Sequence, residues 1–176
     1  MLGEEVLNEF YLLHIDKLFD FMARRASRDD ARELADLVFE QFVAWWQEHA
    51  DHVAPAGVLF QLARWRLNDY MRSRGRVLSV EPSDLEGLVG GTDGDDFAAV
   101  ERCHDIRKAL ATLTERERQA LLLKYGADLS VAECAEALGE RIDNMKKILK
   151  KAREALRQAP GMDAYNSAGT AKEVRG

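Results

Sequence analysis

The sequence predicts an all-α protein: two small helical domains joined by a flexible acidic linker. Three observations carry that expectation. Apolar residues recur at helical spacing in two separate stretches, helix-capping signatures precede several of them, and no run alternates in the manner of a strand. Between the stretches, Ser79 to Asp96 holds Pro82, Gly87, Gly90, Gly91 and Gly94 among acids, a composition that cannot bury itself. The expected boundaries are a first domain over residues 1–76, a linker over 77–104, a second domain over 105–157 and a disordered tail over 158–176.

In the first domain Leu7, Tyr11, Leu18 and Met22 repeat at helical spacing, and Val6, Phe10 and Phe21 widen the stripe. Ser27, Asp29 and Asp30 offer acceptors for the start of a second helix, which carries Leu34, Val38, Phe42 and Trp45 inward. After a polar break, Pro55 suits the first turn of a third helix. That helix places Phe60, Ala63, Leu67, Tyr70 and Met71 on one face and Gln61, Arg64, Trp65, Asn68 and Arg72 on the other. An exposed Trp65 among arginines has the make-up of a surface for single-stranded nucleic acid, where rings stack on unpaired bases and arginines hold the backbone. Taken alone, a tryptophan packed on a neighbouring helix is the commoner outcome.

The second domain is punctuated more sharply. Thr114-x-x-Glu117 and Ser130-x-x-Glu133 are capping boxes, and Leu129 stands where it could pack on Cys134 as a hydrophobic staple. A short helix from Ser130 to Leu138 should end at Gly139, and a longer one should start near Ile142 with Ile142, Met145, Leu149, Ala152 and Leu156 inward. A short helix, a glycine turn and a longer helix make the layout of a helix-turn-helix, whose second helix points its first residues at base edges in the major groove. The expected exposed face holds Arg141, Asp143, Asn144, Lys146, Lys147, Lys150 and Lys151; as a charge run alone it would equally suit a solvated surface.

The chain carries a formal net charge of −6, but the charge is segregated. Residues 64–76 hold five arginines against Asp69, residues 141–153 hold six basic residues against Asp143, and residues 77–104 hold seven acids against Arg102. Two basic islands on either side of an acidic strait point to two phosphate-facing surfaces, and raise the expectation that the linker covers one of them in the free protein. Met1 to Glu5 is acidic and no apolar stretch approaches a bilayer span, so membrane insertion is not expected and a cytoplasmic location is. Cys103 and Cys134 are too few for a disulfide framework or zinc site, and His49, Asp51 and His52 lack a third ligand in evidence. With no phosphate-cradling loop and no nucleophile motif, neither an enzyme nor a cofactor is expected.

A resemblance gives these features roles. Asp36-Leu37-Val38-x-Glu40-x-Phe42-x-x-x-Trp46 resembles the polymerase-binding signature of sigma-70-type factors, in particular the extracytoplasmic-function group. Leu62-Ala63-Arg64, Asp69 and the arginines to Arg76 resemble that group's promoter-melting helix, and Ser130 to Gly139 running on to Arg153 is similar to its C-terminal helix-turn-helix. Leu110 to Tyr125 looks like the helices before it. The ordered match covers about residues 4–76 and 105–157.

The resemblance implies a sigma-2-like three-helix bundle followed by a sigma-4-like domain. It implies contact with the polymerase core, at the beta-prime clamp and the beta flap, through Asp36, Phe39, Glu40 and Gln47, with Phe39 either making an apolar contact there or lying in the core. Gln61, Arg64, Trp65, Asn68, Arg72, Arg74 and Arg76 would hold the opened minus-ten element, and the residues of the second basic face named above would read the minus-thirty-five element. Promoter DNA is thus an expected partner, and an anti-sigma factor an admissible one. Val58, Trp65 and Phe39 stand where the family usually has Trp, Asn and Gln, which makes the minus-ten preference atypical. A free-standing helix-turn-helix regulator and an anti-sigma or adaptor protein are the rival readings.

Overall fold

The structure, a computed structural model, describes residues 2–89 and 97–159, and every regular element among them is helical. Helix α1 (Leu2–Ala23) turns back into α2 (Arg28–Trp46), whose first turn is capped by the Ser27 hydroxyl accepting from the Asp30 amide. The hairpin is zipped by aromatic pairs in antiparallel register. Phe10 stacks on Phe42 with centroids 4.9 Å apart, and Tyr11 meets Phe39 edge-on at 4.7 Å. Helix α3 (Pro55–Ser73) begins at Pro55 as expected and lays Phe60, Ala63, Leu67 and Met71 against the hairpin, with Phe21 meeting Phe60 edge-on.

Both expected capping boxes are present, each with its two reciprocal hydrogen bonds. Thr114 starts α6 (Glu115–Leu121), which relaxes into a π-helical turn over Leu122–Gly126. Ser130 starts α7 (Val131–Leu138). Gly139 then takes the left-handed conformation (φ 64°) that a side chain would resist, ends α7 and redirects the chain into α8 (Ile142–Gln158). Met145, Leu149, Ala152 and Leu156 are buried, whereas Ile142, expected inward, is half exposed.

The segment expected to be a flexible linker departs from that expectation over its described part. It contains α4 (Pro82–Val89) and the start of α5 (Phe97–Ala111), so helical structure leading into the second domain begins before residue 105. The composition argument failed because Val80 and Leu85 are apolar enough to dock, being 7% and 1% exposed. Polar anchors fix the same stretch on both sides. Arg24 donates to the Asp84 carbonyl at 2.6 Å and Arg25 to the Ser79 carbonyl at 3.0 Å, while Arg25 also pairs with the Asp84 carboxylate. From α6, Arg118 donates to the Val80 carbonyl at 2.7 Å and Glu115 accepts from the Val80 amide at 2.9 Å. Asp84 and Glu86 pair with Arg25 and Arg107, which belong to neither basic island. Gly90, Gly91 and Gly94, like the tail beyond residue 159, lie outside the described residues.

The two domains do not stand apart. Helix α3 of the first packs on α7 of the second, and residues of both belong to one continuous apolar core.

Two stability predictions follow from these local interactions. Replacing Thr114 by Ala removes the α6 cap and should cost about 1 kcal/mol in denaturant unfolding. His14 is 7% exposed, and its Nδ1 has no hydrogen-bond partner. Burial and then nearby Lys17 lower its pKa from the ordinary 6.5, with Glu133 opposing. The unfolded chain takes up that proton near pH 6.5 and the native ring resists it, so His14 contributes stability above that pH that is lost on acidification. His14→Leu should therefore flatten part of the loss of unfolding free energy below pH 6.5.

Candidate nucleic-acid interface

Helix α3 was expected to show one polar face to solvent, and the structure divides that face in two. Trp65 is 57% exposed, and Arg72, Arg74 and Arg76 are exposed beyond it; Asn68 is partly buried. Arg74 is the most constrained of these. Its guanidinium lies 4.4 Å from the Tyr70 ring centroid and pairs with Asp30 at 3.1 Å. Tyr70 donates to the same carboxylate at 2.6 Å, so the hydroxyl first and Arg74 last hold Asp30 below the usual carboxylate range. Arg72 meets Asp69 at 3.9 Å, a fully solvated pair of little energetic weight.

Gln61 and Arg64 face α7, not solvent, and this corrects the expected exposure of that half of the face. The last carbonyls of a helix have no partner within it. Gln61 donates to the Glu136 carbonyl at 3.3 Å and Arg64 to the Ala137 carbonyl at 2.7 Å, while Arg116 of α6 donates to Leu138 at 2.9 Å. Three successive carbonyls at the end of α7 thus accept from side chains, and Glu136 also accepts from the Gly139 amide at 3.2 Å. Arg64 also reaches Gln119 at 3.3 Å, and its charge sits at the negative end of the α7 dipole. Burial, with Arg116 nearby, lowers its pKa, although a guanidinium stays charged.

Gly57 is what lets the helices come this close. A Cβ built there would lie 2.5 Å from the Glu136 Cβ and 2.6 Å from the Glu133 carbonyl oxygen. At the rim of the contact His52 faces Glu136 at 3.6 Å, and Lys17 meets Asp128 at 3.4 Å. A cavity of about 30 Å³ remains at the junction, room for roughly a water molecule and too little for a ligand.

The second basic face lies as expected. Arg141, Asp143, Asn144, Lys146, Lys147, Lys150 and Lys151 are all exposed along α8 and its first turn. Lys150 and Lys151 lean toward Glu154 and Glu117, at 3.9 and 3.7 Å. Asn144 donates to Glu140 at 2.6 Å, and Arg116 holds the other carboxylate oxygen of Glu140. Gly57, Arg116, Glu136 and Glu140 were not singled out from the sequence, and only the Glu140–Asn144 spacing of four was visible there.

The acidic edge of α2 divides as well. Asp36, Glu40 and Gln47 are exposed, and the first two flank Leu37, which is 44% exposed. Phe39, grouped with them in sequence, is 5% exposed and packs on Tyr11 and Phe42, so it is a core residue. Val58 is buried, and burial pushes the Cys134 thiol up to about 12, as suits a small core hydrophobe. Among the described residues no group of three or more side chains could hold a metal ion, and no helix is long and apolar enough to cross a membrane.

Comparison with known proteins converges on one family. Residues 103–156 match the family described as Sigma-70, region 4. The chain is 24% identical over 153 residues to the ECF RNA polymerase sigma factor SigM of Bacillus subtilis (strain 168), covering 86% of this chain and 93% of that protein. Its fold is similar to that of the sigma factor RpoE, solved in complex with the anti-sigma factor NepR from Bartonella quintana. There the TM-score is 0.50 and the identity 24%, over 86% of this chain and 94% of that one. With a region 4 match over residues 103–156 and an all-helical fold shared along most of its length, the chain is similar to sigma factors of the extracytoplasmic-function group.

Proposed function

We propose that this chain binds the polymerase core through the α2 edge, reads the minus-thirty-five element with α8 and holds the opened minus-ten element on α3. The observation that carries the reading is the exposed face of α8. It combines four lysines with Asp143 and Asn144 on the second helix of a helix-turn-helix, a chemistry suited to phosphates and base edges together. On α3, exposed Trp65 supplies a stacking ring beside Arg72 and Arg76. Asp36 and Glu40, one turn apart around Leu37, suit a basic helical partner with an apolar contact at its centre. Mixing the protein with core polymerase tests this directly: promoter-dependent transcripts support it. Tight duplex binding without co-purification with core would favour a free-standing regulator.

In the free chain the two promoter-reading surfaces are unequally available. The α8 face is open, but Gln61 and Arg64 are occupied by α7, so α3 and α7 must separate before the whole of α3 can engage a strand. An anti-sigma partner would act most simply by favouring this closed contact, and core polymerase by favouring its opening.

Two outcomes are expected. Reversing charge with Asp36→Arg and Glu40→Arg together should weaken core binding at least tenfold at low salt, while far-ultraviolet circular dichroism stays unchanged. Gly57→Ala should open the domains. Alanine is about 1 kcal/mol better than glycine within a helix, so α3 itself does not suffer, yet the new methyl cannot fit against Glu136. Solution scattering should show a larger radius of gyration for the free protein, and its affinity for a forked promoter probe should rise several-fold. An unchanged radius and affinity would mean that the contact does not limit binding.

A further inference from the structure

We infer that Asn144 is an adenine-reading residue of the α8 face, and that Glu140, fixed by Arg116, is the positioning residue that aims it. The inference deepens the proposal that α8 reads duplex DNA and rests on it. Asn144 stands in the first turn of α8, exposed, on the same side as Lys147 and Lys151, which would fix the helix to the phosphates.

What distinguishes Asn144 from its neighbours is that its orientation is determined. Glu140 offers two carboxylate oxygens. Arg116 holds Oε1 through Nε at 3.0 Å and through a second, short contact from Nη2; Oε2 accepts from Asn144 Nδ2 at 2.6 Å. A carboxylate only accepts, so the amide must turn its NH₂ toward Glu140; the flipped amide would set oxygen against oxygen. Arg116 first and Asn144 second hold the Glu140 carboxyl below its usual range. Arg116 is itself anchored, donating to the Leu138 carbonyl at 2.9 Å. The chain of contacts therefore runs from α6, through the turn of the helix-turn-helix, to the one amide on the α8 face.

The consequence is chemical. One amide N–H is committed to Glu140, which leaves Oδ1 and the second N–H as an adjacent acceptor and donor. That pair matches the N6 amino donor and N7 acceptor that adenine displays in the major groove. Guanine shows two acceptors there and cytosine a lone amino donor. Neighbouring Lys147 can approach guanine or phosphate but cannot accept, and Asp143 can accept but cannot donate.

The test enriches randomised duplexes on the full chain assembled with core polymerase, comparing wild type with Asn144→Ala, Glu140→Ala and Glu140→Gln. Wild type should enrich adenine at one position of the minus-thirty-five element. Asn144→Ala should lose that preference about tenfold or more and leave the other positions unaltered. Glu140→Ala should blunt the same preference several-fold without lowering total duplex affinity or melting temperature, and Glu140→Gln, whose single acceptor oxygen cannot serve Arg116 and Asn144 together, should blunt it as well. A purely structural role for Glu140 would instead lower all preferences and the melting temperature together. Unchanged preferences in Asn144→Ala, or loss at a position where wild type selects another base, would overturn the inference while leaving DNA reading by α8 intact. Failure of wild type to enrich any duplex would defeat both.

Discussion

The arrangement of this protein depends on how α7 ends. A helix of eight residues has more unpartnered terminal groups than internal hydrogen bonds, so its C-terminal carbonyls gain from donors elsewhere. Here they are supplied in sequence by Gln61, Arg64 and Arg116, and only because Gly57 lets α3 approach to a distance that no Cβ would permit. A short helix of the second domain is thereby completed by polar side chains of the first. The ordered stretch around Val80 then follows, since it lies between Arg24 and Arg25 on one side and Arg118 on the other.

One set of donors thus has two claimants. Guanidinium and amide groups that suit a phosphate or an unpaired base also suit helix-end carbonyls, because both are partly negative oxygens presented at a surface. The exchange between them needs no new chemistry, only a change of acceptor. Trp65 is outside the competition, since a ring offers nothing to a carbonyl, and it remains exposed throughout. The α8 face is outside it too, because its lysines point away from the core that Met145 and Leu149 build.

How much of this was legible in the sequence depended on range. The caps at Ser27, Thr114 and Ser130 and the stop at Gly139 are interactions over three or four residues, and each was read correctly because both partners sit in the same short window. The α8 face was legible for the same reason, through its strict helical period. Gln61 and Arg64 looked solvated because a helical wheel refers only to a helix's own domain, and their acceptors lie more than seventy residues away. The sequence leaves Phe39 open between a polymerase contact and a core place, and its aromatic partners Tyr11 and Phe42 put it in the core. The acidic stretch was judged on average composition, and two apolar side chains, Val80 and Leu85, were enough to defeat the average.

Cys134 lies within α7 itself, fully buried, its sulfur 3.9 Å from the Leu129 carbonyl. A thiol raised to about 12 is protonated across the whole physiological range and presents no thiolate to an oxidant. This side chain is therefore shielded from peroxide, disulfide exchange and alkylation while α7 stays folded and packed. Its labelling rate would register the loss of packing around α7, so the protein carries an internal reporter of that breakdown.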